Sequence, residues 1–235
     1  MTAPSIPFWV VIPAAGVGSR MGADRPKQYL KLAGKTLLEH TLDCFLGHPG
    51  LRGLVVSVAA GDPWWPTLEC ALSPSIHLAT GGSERCDSVL NALMTLSELG
   101  AGASDWVLVH DAARPNLAAT DLERLLGELA EDEVGGLLAV PAKDTLKRAD
   151  ATGRVSDTLD RTVIWHAFTP QMFRLGPLQR ALADALVAGV AVTDEASAME
   201  WAGHAPRLIE GRSDNIKITR PEDLAWLRRG SQTDA

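Results

Sequence analysis

The chain has 235 residues and a formal net charge of −7, with 46% hydrophobic and 22% charged residues. These values suit a globular domain, and the acidic balance argues against a nucleic acid as the main partner. The sequence shows no signal peptide, no apolar run of the roughly 20 residues that cross a bilayer, and three scattered cysteines. We therefore expect a cytoplasmic protein without membrane contact.

Short apolar runs alternate with helical patterns along the chain. Five runs in the first part are typical of buried strands: residues 8–13, 54–59, 76–80, 106–109 and 136–140. Helical spacing predicts helices that start at Thr36, Asp87 and Thr120. Two of them begin with a capping box, Thr36 with Glu39 and Thr120 with Glu123. The second part predicts helices over 175–187 and 194–201, strands over 207–210 and 216–219, and a last helix from 221. This alternation predicts an α/β fold, a Rossmann-like open and mostly parallel sheet with helices on both faces.

One segment interrupts the alternation. Residues 142–165 alternate apolar and polar side chains around a turn at 150–153, which is typical of a β-hairpin. A two-stranded hairpin is marginally stable alone, so we expect it to pack against something else, and a second subunit is a candidate. We predict a single domain over residues 1–235 with an inserted hairpin arm at about 142–165.

A glycine-containing loop, Ala14-Ala-Gly-Val-Gly-Ser-Arg-Met21, follows the first predicted strand. In open parallel sheets ligands bind where strands end, and consecutive backbone N–H groups in such a turn can hold an anion. A dinucleotide-binding motif would need glycine at position 21 and a Walker A loop would need it at position 29, but these are Met21 and Tyr29. A tight turn without a ligand is the alternative.

Basic residues are concentrated after this loop. Residues 20–35 contain five basic side chains against one acidic side chain. Lys27 can fold back over phosphates held by the loop, although a solvated basic loop would give the same composition. The segment His110-Asp-Ala-Ala-Arg-Pro115 follows a buried strand. Asp111 suits Mg²⁺ or a substrate hydroxyl, or else caps its loop, and Arg114 suits an acceptor phosphate.

These segments together resemble a known family. Six motifs occur in order: 14–21 with Pro26-Lys-Gln-Tyr29, His110–Pro115, Asp144-Thr145, Trp165–Gln171, Thr193–Ser197 and Asp214–Thr219. The first is similar to the nucleotide-binding signature of sugar-nucleotide pyrophosphorylases. All six, between about residues 8 and 229, resemble the 2-C-methyl-D-erythritol 4-phosphate cytidylyltransferase family.

The resemblance implies roles for individual residues. The catalytic cations would be Arg20, Lys27, Arg161 and Lys217. The acceptor would be bound by Asp111, Arg114, Thr145 and Thr169. The nucleotide would be bound by Ala14, Ala15, Gly16, Gly18, Gly81, Gly82, Asp87 and Ser88. The family also implies a homodimer that is crossed by the hairpin arm, so that Thr145 and Arg161 reach the neighbouring site, and Mg²⁺ bound mainly through the CTP phosphates.

The implied activity is transfer of CMP from CTP to 2-C-methyl-D-erythritol 4-phosphate, with release of pyrophosphate, for isoprenoid precursor synthesis. A phosphate monoester is largely dianionic at pH 7, since its second pKa is about 6, so the reaction needs cations rather than a general base. The alternatives are another polyol phosphate such as ribitol 5-phosphate, another base, or a non-catalytic nucleotide-binding module. His110 and His166 are expected to form structural hydrogen bonds, and Asp194 and Glu195 to favour a helix start rather than bind a metal.

Overall fold

A computed structural model of the chain describes residues 6–16 and 25–230, without the side chains of residues 228–230. The strands are β1 (Phe8–Pro13), β2 (Lys31–Leu32), β3 (Lys35–Thr36), β4 (Leu51–Val58), β5 (Ile76–Thr80), β6 (Trp106–Val109), β7 (Gly135–Pro141), β8 (Lys147–Ala149), β9 (Val155–Thr158), β10 (Trp165–Arg174) and β11 (Arg207–Glu210). The α-helices are α1 (Leu37–Asp43), α2 (Arg85–Glu98), α3 (Ala119–Leu129), α4 (Leu175–Val187), α5 (Glu195–Trp201) and α6 (Pro221–Gly230).

A seven-stranded sheet forms the centre of the molecule. Its order is β11-β7-β10-β6-β1-β4-β5. Strand β10 runs antiparallel to β6 and β7, whereas the remaining neighbours pair in parallel. The predicted α/β architecture with an open, mostly parallel sheet is therefore confirmed.

Helices cover both faces of this sheet because successive side chains of a buried strand point in opposite directions. On β1, Val10 and Ile12 belong to one buried cluster, which includes side chains of α1 and α3. Val11 belongs to a second cluster, which includes side chains of α2, α4 and α5. The continuous apolar run of β1 thus reflects burial on both of its faces.

The parallel strands bring three chain segments to one edge of the sheet. Ala14 N donates to the Ser57 carbonyl beyond β1, Gly81 N donates to the Val58 carbonyl, and His110 N donates to the Val11 carbonyl, each at 2.8–2.9 Å. The loops that follow β1, β5 and β6 therefore begin side by side. This edge is where the sequence places most of its candidate binding residues.

Two sequence predictions of local structure are wrong. Residues 216–219 do not form a strand; the backbone there is held instead by a hydrogen bond from Ile218 N to the Ala113 carbonyl at 2.8 Å. The capping box predicted at Thr120 does not form, since α3 has Ala118 as its N-cap and no side chain bonds its first turn. Asp121 is buried there and accepts from Arg212 N at 2.7 Å.

The hairpin segment projects exposed side chains. β8 and β9 pair antiparallel, and the turn between them is closed by Gly153 N donating to the Asp150 carbonyl. Every residue of both strands is exposed, and Val155 keeps 64% of its surface accessible. An exposed two-stranded hairpin with an exposed apolar side chain gains little stability from its own chain.

The two predicted capping boxes allow a matched test of helix capping. In α1, the Thr36 hydroxyl accepts from Glu39 N and the Glu39 carboxylate accepts from Thr36 N. We expect Thr36→Ala to lower the free energy of unfolding by about 1 kcal/mol. We expect Thr120→Ala to change it by less than about 0.5 kcal/mol, because Thr120 is exposed and forms no cap. Urea denaturation measures both, and equal losses would contradict the assignment.

Candidate active site

A cavity of about 460 Å³ opens at the carboxyl edge of the sheet. Its lining comes from five separated segments: Pro13–Gly16, Lys27 and Gln28, Gly82–Arg85 with Ser88, Asp111–Ala113, and Lys217. Five of the predicted nucleotide-binding residues line it, namely Ala14, Ala15, Gly16, Gly82 and Ser88. Two of the predicted catalytic cations, Lys27 and Lys217, line it as well.

The glycines beside this cavity are required by close packing. A Cβ atom on Gly81 would lie 2.1 Å from the Ala15 Cβ, and one on Gly82 would lie 2.2 Å from the Asp87 Cβ. Asp87, a predicted nucleotide-binding residue, does not line the cavity; its carboxylate accepts from Glu84 N at 2.9 Å and from the Ser83 hydroxyl at 2.7 Å. Asp87 therefore fixes the start of α2 and the glycine turn before it.

The loop after β1 is held in place by a side chain from the basic segment. Gln28 is buried, and its Nε2 donates to the Ala14 carbonyl at 2.6 Å and to the Gly16 carbonyl at 3.1 Å. Gln28 lines the cavity together with the loop that it holds. The neighbouring Lys27 donates from Nζ to the Ile218 carbonyl at 3.0 Å, which ties it to the segment that carries Lys217.

Asp111 is surrounded by three cations. Its Oδ1 accepts from Arg85 Nε at 3.3 Å, and its Oδ2 accepts from Arg114 Nε at 3.1 Å and lies 3.0 Å from Lys217 Nζ. Arg85 is also paired with the fully buried Glu195. Three cations and two carboxylates thus form one cluster with an excess positive charge, which suits an anionic ligand.

Electrostatics keep this cluster ionised. Burial alone would raise the pKa of Asp111, but the positive charges of Arg85, Lys217 and Arg114 outweigh burial and hold that pKa well below its usual range. Burial lowers the pKa of Arg85, but Glu195 and Asp111 outweigh it and raise that pKa above its usual value. Asp111 is therefore a carboxylate, and Arg85 a cation, at neutral pH.

Hydrogen bonds around His110 hold the loop that follows β6. The Arg114 carbonyl can only accept, so His110 Nε2 carries the proton and donates to it at 3.0 Å. Nδ1 of the neutral ring then accepts from the Thr169 hydroxyl at 3.0 Å, and that hydroxyl in turn accepts from Asp111 N at 3.0 Å. The structural role expected for His110 is thus observed, whereas His166 is exposed.

Two smaller cavities adjoin the first. One of about 380 Å³ is lined by Arg114, Lys143, Asp144, His166, Asn215 and Lys217, among others. One of about 190 Å³ is lined by Arg85, Asp111, Arg114, Thr169 and Lys217, among others. Lys217 lines all three cavities, so the cavities adjoin one another there. The candidate acceptor residues Asp111, Arg114 and Thr169 therefore lie beside the first cavity, which Gly16 and Gly82 line and which we call the glycine-floored cavity.

Besides Gly81 and Asp87, four further predicted site residues are not placed at these cavities. Thr145 and Arg161 are exposed in the hairpin segment, and Arg161 donates from Nη1 to the Lys143 carbonyl. Neither lines any of the three cavities. Gly18 and Arg20 lie outside the described residues.

Comparison with known proteins gives a consistent result. The family model for 2-C-methyl-D-erythritol 4-phosphate cytidylyltransferase matches residues 8–228. The chain is 73% identical over 222 residues to the Pseudomonas putida protein of that name, covering 94% of each chain. It is 72% identical over 230 residues to the Pseudomonas aeruginosa protein of that name, covering 97% of this chain and 98% of the relative.

The chain belongs to the 2-C-methyl-D-erythritol 4-phosphate cytidylyltransferase family. Solved structures agree with this assignment. A 4-diphosphocytidyl-2C-methyl-D-erythritol synthase superposes with a TM-score of 0.82 at 39% identity, covering 95% of this chain and 98% of that one. The Francisella tularensis 2-C-methyl-D-erythritol 4-phosphate cytidylyltransferase gives a TM-score of 0.81 at 38% identity, covering 95% and 99%.

Three residues of this family member were missed by sequence reasoning. Gln28 stands inside a motif that carried the resemblance, but only its neighbour Lys27 was given a role. Arg85 stands at the start of α2, and Glu195 was interpreted only as a residue that favours a helix start. Asp194 does cap α5, accepting from Ser197 N at 2.9 Å, whereas Glu195 pairs with Arg85 across the molecule. Sequence spacing holds no signal for a pair separated by 110 residues.

Two features bear on ligands and environment. Within residues 6–16 and 25–230, no group of three or more His, Cys, Asp and Glu side chains is arranged to hold a metal ion. The helices in the same ranges lack the length and apolar character needed to cross a membrane.

The buried His110 predicts how stability depends on pH. Burial lowers its pKa to about 4, compared with about 6.5 in an unfolded chain. Between these values the unfolded state binds a proton that the folded state excludes, so the free energy of unfolding falls as the pH decreases from about 6.5 to about 4. The loss reaches about 3 kcal/mol at most.

Urea denaturation at several pH values measures this effect. His110→Gln keeps a donor for the Arg114 carbonyl but cannot titrate, so we expect a flatter profile between pH 6.5 and 4. Carboxyl groups with lowered pKa values, such as Asp111, add their own loss of stability below about pH 5, but equally in both proteins, so the difference between the two profiles reports His110. An equal slope in both proteins would refute the assignment to His110.

Proposed function

We propose that this protein transfers CMP from CTP to 2-C-methyl-D-erythritol 4-phosphate, yielding 4-diphosphocytidyl-2-C-methyl-D-erythritol and pyrophosphate. The observation that carries the proposal is the convergence of Lys27 and Lys217 on one glycine-floored cavity beside the Asp111 cluster. Family membership supplies the substrates, and the cluster supplies the charge that they require.

The chemistry is an in-line displacement. An oxygen of the acceptor phosphate forms a bond to the α-phosphorus of CTP, and the bond from that phosphorus to the bridging oxygen breaks, so that pyrophosphate leaves with the electron pair. The acceptor is already largely dianionic at pH 7, and no proton needs to be removed. The barrier arises from bringing two anions together, and preorganised cations lower it.

In this proposal the phosphate group that each cation binds depends on its position. Lys27, with Arg20 from the neighbouring loop, neutralises the triphosphate as charge moves to the leaving group. Lys217 lines all three cavities and stands between the donor and the acceptor. Arg114 and Thr169 line the smaller cavities on the other side of Asp111, where the acceptor would be bound.

Mg²⁺ is proposed to arrive with CTP, bound mainly through its phosphates. The Asp111 oxygens are already bonded to three cations, so they suit cation placement better than direct metal ligation. When bound, Mg²⁺ would add positive charge to the triphosphate. The protein side chains then orient the two substrates and exclude water between them.

The hairpin is proposed as the arm of a homodimer in the cytoplasm. Thr145 and Arg161 line none of the three cavities within one chain, although both adjoin Lys143 and Asp144 of the second cavity. The exposed Val155 and Val163 offer an apolar surface for a partner. Arg161 would then contribute its charge to the acceptor phosphate in the neighbouring site. This arrangement makes each site depend on two chains.

Two other functions compete with this proposal. A cytidylyltransferase for another polyol phosphate, such as ribitol 5-phosphate, would use the same cavity and differ in the acceptor pocket. A non-catalytic nucleotide-binding module would keep the glycines but lose the cations, and this chain retains Lys27, Arg114 and Lys217.

A direct assay separates these possibilities. The protein is incubated with Mg²⁺, each of the four nucleoside triphosphates and a panel of polyol phosphates, while pyrophosphate release is followed. We expect release only with CTP, and much faster with 2-C-methyl-D-erythritol 4-phosphate than with ribitol 5-phosphate. Faster release with ribitol 5-phosphate would favour the first alternative, and no release with any pair would favour the second.

Hybrid dimers test whether Arg161 acts across the interface. Lys27→Ala and Arg161→Ala should each lower turnover strongly, by about 100- to 1,000-fold for a group that stabilises transition-state charge. In a hybrid of the two variants, one site receives Lys27 from one chain and Arg161 from the other, so it is complete. A statistical mixture should recover roughly a quarter of wild-type activity.

The first control is each variant alone. The second control is a mixture of two chains: one carries both Lys27→Ala and Arg161→Ala, and the other carries Lys27→Ala only. That mixture has no complete site and should stay inactive. Recovery absent from the first mixture, with dimers shown by sedimentation, would mean that Arg161 acts within its own chain or not at all.

A further inference from the structure

The half-buried Arg85 joins the Asp111 carboxylate to a second, fully buried carboxylate. Glu195, the first residue of α5, is fully buried, and its two oxygens accept from Arg85 Nη1 at 2.6 Å and Nη2 at 3.2 Å. The remaining Arg85 nitrogen, Nε, donates to Asp111 Oδ1 at 3.3 Å. A bidentate pair fixes the plane of a guanidinium group, so the direction in which Arg85 reaches Asp111 depends on Glu195.

The position of Glu195 is fixed by hydrogen bonds at the start of α5. Gln171 of β10 is buried; its Oε1 accepts from Ala196 N at 2.7 Å and its Nε2 donates to Asp194 Oδ2 at 2.8 Å. Asp194 Oδ1 accepts from Ser197 N at 2.9 Å. The start of α5 is thereby attached to the central sheet, two residues beyond Thr169, and Glu195 has a fixed position relative to the site.

The charge of Glu195 affects how the two Asp111 oxygens are divided among the three cations. Asp111 Oδ1 bonds Arg85, whereas Oδ2 bonds Arg114 and Lys217, which both line the proposed acceptor cavities. Without the negative charge of Glu195, the cluster would hold three cations against one carboxylate. Arg85 would then shift towards Asp111 and compete with Lys217 for it, because it would have no other carboxylate within reach.

We propose that Glu195 is a positioning residue for nucleotidyl transfer, acting through Arg85 to keep Asp111 and Lys217 in the reactive arrangement. This inference rests on the proposed function, since Lys217 must act on the bound phosphates. It assigns to a residue remote from the cavity surface an effect on turnover, not only on folding. Glu195 lines none of the three cavities, so it does not touch substrate itself.

Glu195→Gln tests the proposal because it keeps the shape of the side chain and removes its charge. A displacement of about 1 Å at a reacting centre can cost about 100-fold in rate, so we expect kcat to fall by roughly 10- to 100-fold. The KM for CTP should change by less than about threefold, because Ala14–Gly16 and Gly82 remain in place. The matched control is Glu200→Gln, the same change at an exposed position of α5, which should leave kcat unchanged.

A second variant separates turnover from folding. Arg85→Gln with Glu195→Gln removes both charges of the pair and leaves no unpaired charge on the buried Glu195, so its thermal midpoint should lie nearer the wild-type value than that of either single variant. Because Glu195 acts through Arg85, adding Glu195→Gln to an Arg85→Gln background should lower kcat by no more than about twofold. Independent, multiplying losses would overturn the proposed route through Arg85.

The remaining outcomes are also decisive. Near-wild-type kcat in Glu195→Gln, with a lowered thermal midpoint, would make Glu195 a structural residue and overturn the inference while leaving the proposed function intact. A return of wild-type kcat in the double variant would do the same. A folded wild-type protein that releases no pyrophosphate from CTP and 2-C-methyl-D-erythritol 4-phosphate would instead overturn the proposed function, and the inference with it.

Discussion

The site depends on a single carboxylate that holds three cations together. Groups that neutralise two phosphates must be close to one another, and in the absence of substrate their mutual repulsion would drive them apart. Asp111 offsets that repulsion through bonds to Arg85, Arg114 and Lys217. Glu195, which lines none of the cavities, offsets one further positive charge through its pair with Arg85. The cluster thus keeps an excess positive charge that faces the crevice.

The fold makes this arrangement possible through the direction of its strands. Asp111 follows β6, next to β1 in the middle of the sheet, so the loops after both strands lie at one edge. The helices α2 and α5 both begin at this edge, and they contribute Arg85 and Glu195 from their first residues. Asp111, Arg85 and Glu195, which are far apart in the sequence, therefore meet because the strand end and both helix starts lie at the same edge.

Sequence reasoning recovered the parts of the molecule that depend on local pattern. Buried strands such as 106–109 appear as apolar runs, and Lys27, Asp111 and Lys217 stand in motifs that follow such runs or match the family. The strand predicted at 216–219 was wrong because β-branched residues favour an extended backbone but do not provide a neighbouring strand. The Arg85–Glu195 pair was missed because its partners meet only after α2 and α5 pack, which no local pattern records.

The two halves of the site differ in how firmly they are built. The cavity proposed for the nucleotide includes backbone and small side chains packed so closely that a Cβ on Gly81 or Gly82 would overlap its neighbour, which leaves little freedom for another shape there. The cavity proposed for the acceptor is lined by longer side chains, including Arg114, Lys143 and His166, and adjoins the exposed hairpin segment. We therefore expect substitution to change the acceptor more readily than the nucleotide, since side chains can be replaced while the backbone beside the first cavity stays unchanged.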